Sequence, residues 1–224
     1  MYWILFVGIA LVSYLVQSNL KRKFEEYSKV PVASGMTGAE VAQKMLRDNG
    51  ILDVKVQLHE GWLSDHYDPT TKTVNLSHDV FYLKSVASAA VAAHECGHAI
   101  QDAESYAPLK IRGAIVPVVN FGASISWPLI LIGIILGGSH TLIMLGVLLF
   151  SLTVIFQLVT LPVEFNASSR ALKILGNSHI LYDDEISGAR KVLTAAALTY
   201  VAAAASSILQ LLRLLLLFGD RRDD

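Results

Sequence analysis

One stretch of this chain sets side chains able to do chemistry at a meaningful spacing: Ala92-Ala93-His94-Glu95-Cys96-Gly97-His98-Ala99-Ile100-Gln101. The residues from Val80 to about Asp102 read as one helix, with Ser77 as a cap, Asp79 in the first turn and the run Ala87 to Ala93 suited to tight burial. Residues four apart on a helix lie one above the other, so the imidazoles of His94 and His98 can converge on one ion. Glu95, one step round the helix, reaches a water on that ion rather than the ion itself. Such a pair favours Zn²⁺, which lowers the pKa of its water to about 7 and polarises a carbonyl while the glutamate carries the proton. With 7 His and 8 Glu in 224 residues, the pattern His-Glu-x-x-His arises by accident about 0.01 times. The plain alternative is two histidines hydrogen-bonded in an Ala-rich core, a costly burial beside a glutamate without a metal. Cys96 lies about 200° round the helix from His94, which turns it away from the ion and toward packing.

A catalytic zinc of this kind needs a third protein ligand and one open position. The candidate is Glu164 in Leu161-Pro162-Val163-Glu164-Phe165-Asn166-Ala167-Ser168. Read alone, it is either a ligand or a charge placed at a helix start to suit the dipole. Asp102 and Glu104 are other carboxylates nearby, but Glu104 is about 80° round the same helix from His94 and too far along its axis. Candidate donors to the carbonyl oxygen, or contacts to substrate, are His179, Arg170, Arg190 and Tyr200, each of a type that more often serves the surface or packing. His66 and His78 have the same ordinary reading.

The elements that must position these residues include a membrane. Hydrophobic residues make up 53% of the chain and charged ones 17%, against roughly a quarter charged in soluble domains. Between Arg112 and Glu164 stand 51 residues without Asp, Glu, Lys or Arg, where the overall composition would place about nine. Four segments are long enough to be read as spans. Residues 2–17 form an N-terminal anchor without the leading charge or small-residue cleavage site of a signal peptide. Its Tyr2, Trp3 and the basic residues Lys21 to Lys23 suit the two interfaces. Residues 114–161 form a helical hairpin turned by Gly137-Gly138-Ser139-His140, and residues 194–218 form a fourth, Ala/Leu-rich helix before a polar tail, 219–224. Of the 18 Lys and Arg, 15 lie in residues 18–113 and 162–193. By the positive-inside rule both segments face the cytoplasm and the amino terminus lies outside.

Within 18–113, Thr37 and Glu40 make a capping box for an amphipathic helix to residue 48; Ile51 to His59 and Lys72 to Leu76 alternate as strands; Asp65 to Thr71 reads as a turn. The strand at 72–76, just before the motif helix, is expected to pair with an extended peptide. Composition excludes intrinsic disorder, and a lone cysteine excludes a disulfide scaffold and suits a reducing compartment. A net charge of −1 gives no support for a nucleic-acid partner.

The motif, the hairpin and the following Glu-Phe-x-Ala resemble the membrane gluzincins, the group of the HtpX heat-shock protease and the CAAX prenyl endopeptidase. A nearer resemblance is to the bacterial YugP-type neutral zinc metallopeptidases, carried by the short anchor, AAHECGHAIQ at 92–101, LPVEFNAS at 161–168 and GARKVLTAAALTYVA at 188–202. The resemblance implies His94, His98 and Glu164 as Zn²⁺ ligands and Glu95 as general base and acid. Ser168 stands where the HtpX pattern has an aspartate, so ligand support must be arranged differently.

The expectation is a mainly α membrane protein: about four transmembrane helices with a cytoplasmic zincin-like α+β catalytic part. It would be a multi-pass cell-membrane endopeptidase acting on a peptide or protein substrate in a lipid bilayer. Rival readings are an intramembrane protease of the site-2 type, and a non-catalytic membrane protein holding structural zinc through four protein ligands.

Overall fold

A computed structural model describes residues 2–219, with side chains described from residue 7. The interfacial roles expected of Tyr2 and Trp3, and the tail from residue 220, lie outside what is described. The elements in chain order are α1 (Tyr2–Ser28), α2 (Gly38–Asp48), β1 (Lys55–His59), β2 (His66–Asp68), β3 (Thr73–Ser77), α3 (His78–Tyr82), α4 (Val86–Ala103), α5 (Ala107–Ile135), α6 (His140–Asn177) and α7 (Asp183–Phe218).

Helix α2 starts where the capping box places it. Thr37 Oγ1 accepts from the Glu40 amide at 3.2 Å and Glu40 Oε2 accepts from the Thr37 amide at 2.7 Å. Its apolar face, Val41, Ala42, Met45 and Leu46, is buried against α4. That face joins Val74 and Leu76 of β3, Val80 of α3, the Ala-rich start of α4, Leu175 of α6 and Val192 of α7 in one core.

Three local expectations are corrected. The helix read from Val80 to Asp102 is broken at 83–85, because Pro31 and Ser85 form an isolated bridge. In it, Lys84 O accepts from the Val32 amide at 3.0 Å and the Val86 amide donates to Val30 O at 2.9 Å. Ser85 then caps α4 by accepting from the Ser88 amide at 3.2 Å. The segment read as a turn, Asp65 to Thr71, contains β2, which pairs antiparallel with β3 from His66↔Asn75 to Asp68↔Thr73. Since β1 pairs parallel with the other side of β3, the sheet order is β1-β3-β2. The strand expected to receive a peptide is therefore the central one, with both edges occupied.

Among the described residues, three helices are long and apolar enough to cross a membrane: α5, α6 and α7. Helices α5 and α6 pack together as a hairpin. Its turn needs Gly137 (φ 83°) and Gly138 (φ 86°), a left-handed backbone that other residues rarely adopt. Small residues let the two helices approach: a Cβ on Gly146 would lie 2.8 Å from Ser126 O, and the Ser126 hydroxyl donates to Gly146 O at 2.9 Å. The outward sides carry exposed Phe121, Leu131, Ile135 and Leu148, a surface suited to lipid rather than water.

Helix α6 runs unbroken from His140 to Asn177, through Pro162. Glu164 thus lies deep inside a helix, and the reading of it as a helix-start charge falls.

Candidate metal centre

Helix α4 presents His94 and His98 on one face, their ring centroids 4.8 Å apart and nearly perpendicular. Gly97 faces α6, where a Cβ would come within 2.7 Å of Ala167 O and 3.1 Å of Ala167 Cα. The missing side chain is what lets α6 lie close enough to deliver Glu164.

Glu164 Oε2 stands 3.2 Å from His94 Nε2 and 3.6 Å from His98 Nε2. One donor atom from each residue lies within 4.8 Å of the others. Ligands at about 2.0–2.1 Å from a tetrahedral zinc stand about 3.3 Å apart, and the 3.2 and 3.6 Å separations of Glu164 from the two imidazoles are close to that. Two imidazoles and a carboxylate are also a donor set of catalytic zinc, and the cluster has three members among the described residues.

Each donor is held from behind. Glu164 and Ser168, four apart on α6, bracket the His94 ring: the carboxylate faces Nε2, and the hydroxyl lies 3.1 Å from Nδ1. Gln101 Oε1 is 3.0 Å from His98 Nδ1. The Gln101 amide group donates to Val163 O and Asn166 Oδ1, both at 2.9 Å, so its oxygen must be what faces the imidazole. His98 therefore carries its proton on Nδ1 in the neutral form and turns the Nε2 lone pair to the centre. The other Glu164 oxygen accepts from Arg112 Nη1 of α5 at 2.9 Å. Buried at 2% exposure, that carboxylate needs these partners.

The local electrostatics favour a cation. Burial opposes the charged form of His98, yet hydrogen bonding to Glu164 and the charges of Glu95 and Glu164 outweigh it and raise its pKa.

A cavity of about 390 Å³ opens onto Glu95, His98 and Glu164. His66 and Tyr67 of β2, Arg112 of α5 and Tyr200 of α7 also line it. Asp65 lines it too, accepting from the Ser77 amide at 2.7 Å and from the Ser77 hydroxyl. Burial pushes the Asp65 carboxyl up to about 6; the Ser77 bonds pull against this and the charge of Glu95 adds to it.

Of the four candidate oxygen-stabilising or substrate residues, Tyr200 lines this cavity. Arg170 instead pairs with Glu104 at 2.7 Å and donates to Asn166 at 2.7 Å. Arg190 lines a different hollow, and His179 sits between α6 and α7 at φ 50°. Asp102 borders the cavity but is taken by Tyr67 OH at 2.8 Å and Lys72 Nζ at 2.6 Å. His66 Nδ1 is 2.8 Å from Ser64 O, while His78 is exposed beside Tyr82. Cys96 is buried with Sγ 3.6 Å from Ala42 O, on the α2 side, and burial raises its thiol pKa.

Arg112 and Asp65 were missed by sequence reasoning. Arg112 had a signal, as the last charge before the uncharged stretch; Asp65, in a segment read as a turn, had none.

The chain is 50% identical over 222 residues to a protein of Bacillus subtilis (strain 168) named "Putative membrane protease YugP", covering 98% of each chain. No solved structure matches it. A family model described as "Putative neutral zinc metallopeptidase" matches residues 2–219, and with donors that fit zinc brought together by α4 and α6, the chain belongs to that family.

Proposed function

We propose that the protein is a membrane-anchored, zinc-dependent endopeptidase whose active site lies at the cytoplasmic membrane face. The observation that carries this reading is the convergence of His94, His98 and Glu164 beside a cavity that also receives Glu95. These three residues would hold Zn²⁺, which when bound supplies Lewis acidity to the scissile carbonyl and makes a water nucleophilic near neutral pH. Glu95 takes the proton of the attacking water and hands it to the leaving amine. Tyr200 donates its phenolic hydrogen to the carbonyl oxygen as negative charge develops there.

The substrate adds to β2. This is the edge strand on the cavity side, and an extended peptide paired with it runs past Glu95. The peptide supplies main-chain hydrogen bonds, so cleavage depends on an unstructured segment more than on one residue type.

In the bilayer, α1 adds a fourth span over residues 2–17, and the segments 18–113 and 162–193 lie in the cytoplasm with the amino terminus outside. The distribution of Lys and Arg supports this orientation. The ionisable groups around the cavity, Asp65, Asp102 and Lys110 among them, suit a water-accessible face rather than the hydrocarbon interior.

The decisive assay is chelator-sensitive cleavage of a soluble unstructured protein by the detergent-purified enzyme, beside Glu95→Gln. The variant retains zinc and loses cleavage by about 10²-fold or more. Undiminished cleavage would sink the mechanism, and a fourth protein ligand on the ion would turn the centre into a structural one.

A further inference from the structure

A second hollow, of about 460 Å³, lies between α6 and α7 and is graded along its length. Lys173 and Arg190 stand at one end, Ser169 and Thr194 in the middle, and Phe165 and Leu198 at the other. Eight residues separate Phe165 from Lys173 and Arg190 from Leu198, about 12 Å on each helix. No carboxylate lines the hollow. Among the described residues neither Lys173 nor Arg190 forms an ion pair, whereas neighbouring Arg170 and Arg112 are matched by Glu104 and Glu164. Phe165 is 50% exposed and Leu198 43%.

The grading follows the membrane. The apolar part of α7 begins near Thr194, so Arg190 stands about 6 Å outside it, at headgroup level, and Leu198 about 6 Å inside it, while Phe165, one turn past Leu161 where the apolar part of α6 ends, borders the acyl chains from the interface. Basic pockets between membrane helices capture anionic headgroups.

We propose that this hollow binds an anionic phospholipid. Lys173 and Arg190 hold its phosphate, with the Ser169 and Thr194 hydroxyls as donors, and an acyl chain lies along Phe165 and Leu198. Charge complementarity selects this occupant: two unmatched cations and no acidic group over an apolar floor fit an anionic amphiphile. The site adjoins the metal centre, since Ser168, which meets His94 Nδ1 at 3.1 Å, lines the same hollow. Bound lipid steadies α6 where it carries Glu164 and Ser168, so zinc is retained longer in anionic bilayers. Neither binding nor this coupling requires the peptidase reading to hold.

The test uses the full chain in phosphatidylcholine nanodiscs with and without phosphatidylglycerol, counting retained lipid by native mass spectrometry and zinc release by a chromogenic chelator. Phosphatidylglycerol is retained and slows zinc release in the wild type. In the double variant Lys173→Gln/Arg190→Gln its affinity falls roughly 30-fold, from two cations worth about 1 kcal/mol each. Leu198→Trp, which fills the apolar end, lowers retention without touching the charges, and it carries the test if the double variant does not fold. Lys191→Gln, on the same helix outside the hollow, retains lipid as the wild type does. Equal retention by all four proteins overturns the proposal. So does a photocrosslinker at position 198 that captures polypeptide instead of lipid.

Discussion

Arg112 and Glu164, the two charges that bound the uncharged stretch of 51 residues, meet as an ion pair of 2.9 Å. The hairpin of α5 and α6 leaves and returns on the same side, which makes neighbours of residues 52 apart in sequence. The guanidinium takes Glu164 Oε1, and Oε2 is left to face both histidines. The same uncharged stretch thus brings Glu164 back to the candidate metal centre.

Arg112→Gln is therefore expected to weaken zinc binding about 10–100-fold, the usual effect of losing a group that orients a ligand. Glu164→Ala removes a donor and strands the guanidinium, so zinc is lost at neutral pH. Elemental analysis after dialysis against a competing chelator ranks wild type above Arg112→Gln above Glu164→Ala; unchanged metal in Glu164→Ala would remove it from the ligand set.

Ser168→Ala leaves all three donors in place but frees Nδ1 of His94. Zinc affinity falls about tenfold or more while secondary structure is unchanged. Competitive chelator titration beside circular dichroism separates this from misfolding.

Gly97→Ala puts a methyl group where α6 backbone already stands, 2.7 Å from Ala167 O. The helices must part, at about 1–3 kcal/mol for the overpacking. Both the melting temperature and zinc occupancy drop, unlike Ser168→Ala, which lowers occupancy alone.

The Asp65 carboxyl, raised to about 6 from an ordinary 3.8, makes stability depend on pH in a stated direction. Between these values the folded chain binds more protons than the unfolded one, so this group's contribution to stability falls as pH rises from about 4 to 6. The cost is fully present above about 6 and absent below about 4. Asp65→Asn is expected to flatten that slope in zinc-free protein and to melt higher than wild type at pH 7. Parallel melting curves across this range for the two proteins would contradict the burial argument.

What was legible early was local. The capping box of Thr37 and Glu40 acts over three residues, and the facing of His94 and His98 over four, so both follow from helix geometry alone. The strand His66–Asp68 was invisible because its support comes from β3, and the helix break before Ser85 because its cause is Pro31, far away in sequence. The same limit misplaced the peptide-binding edge, since the strand at 72–76 is flanked on both sides only once β1 and β2 have closed on it.

The sequence by itself determined that two imidazoles and a glutamate share one helix and that a long uncharged hairpin follows, because periodicity and composition act within a segment. Only the tertiary structure decided that Glu164 stands against both imidazoles and that Ser168 and Gln101 hold those rings. It also decided that Arg112 grips the far side of the carboxylate. The reason is physical. A metal centre is a set of distances between helices, and those distances are set by the absence of a side chain at Gly97 and by the return of α6 from the hairpin turn, neither of which is a property of any one segment.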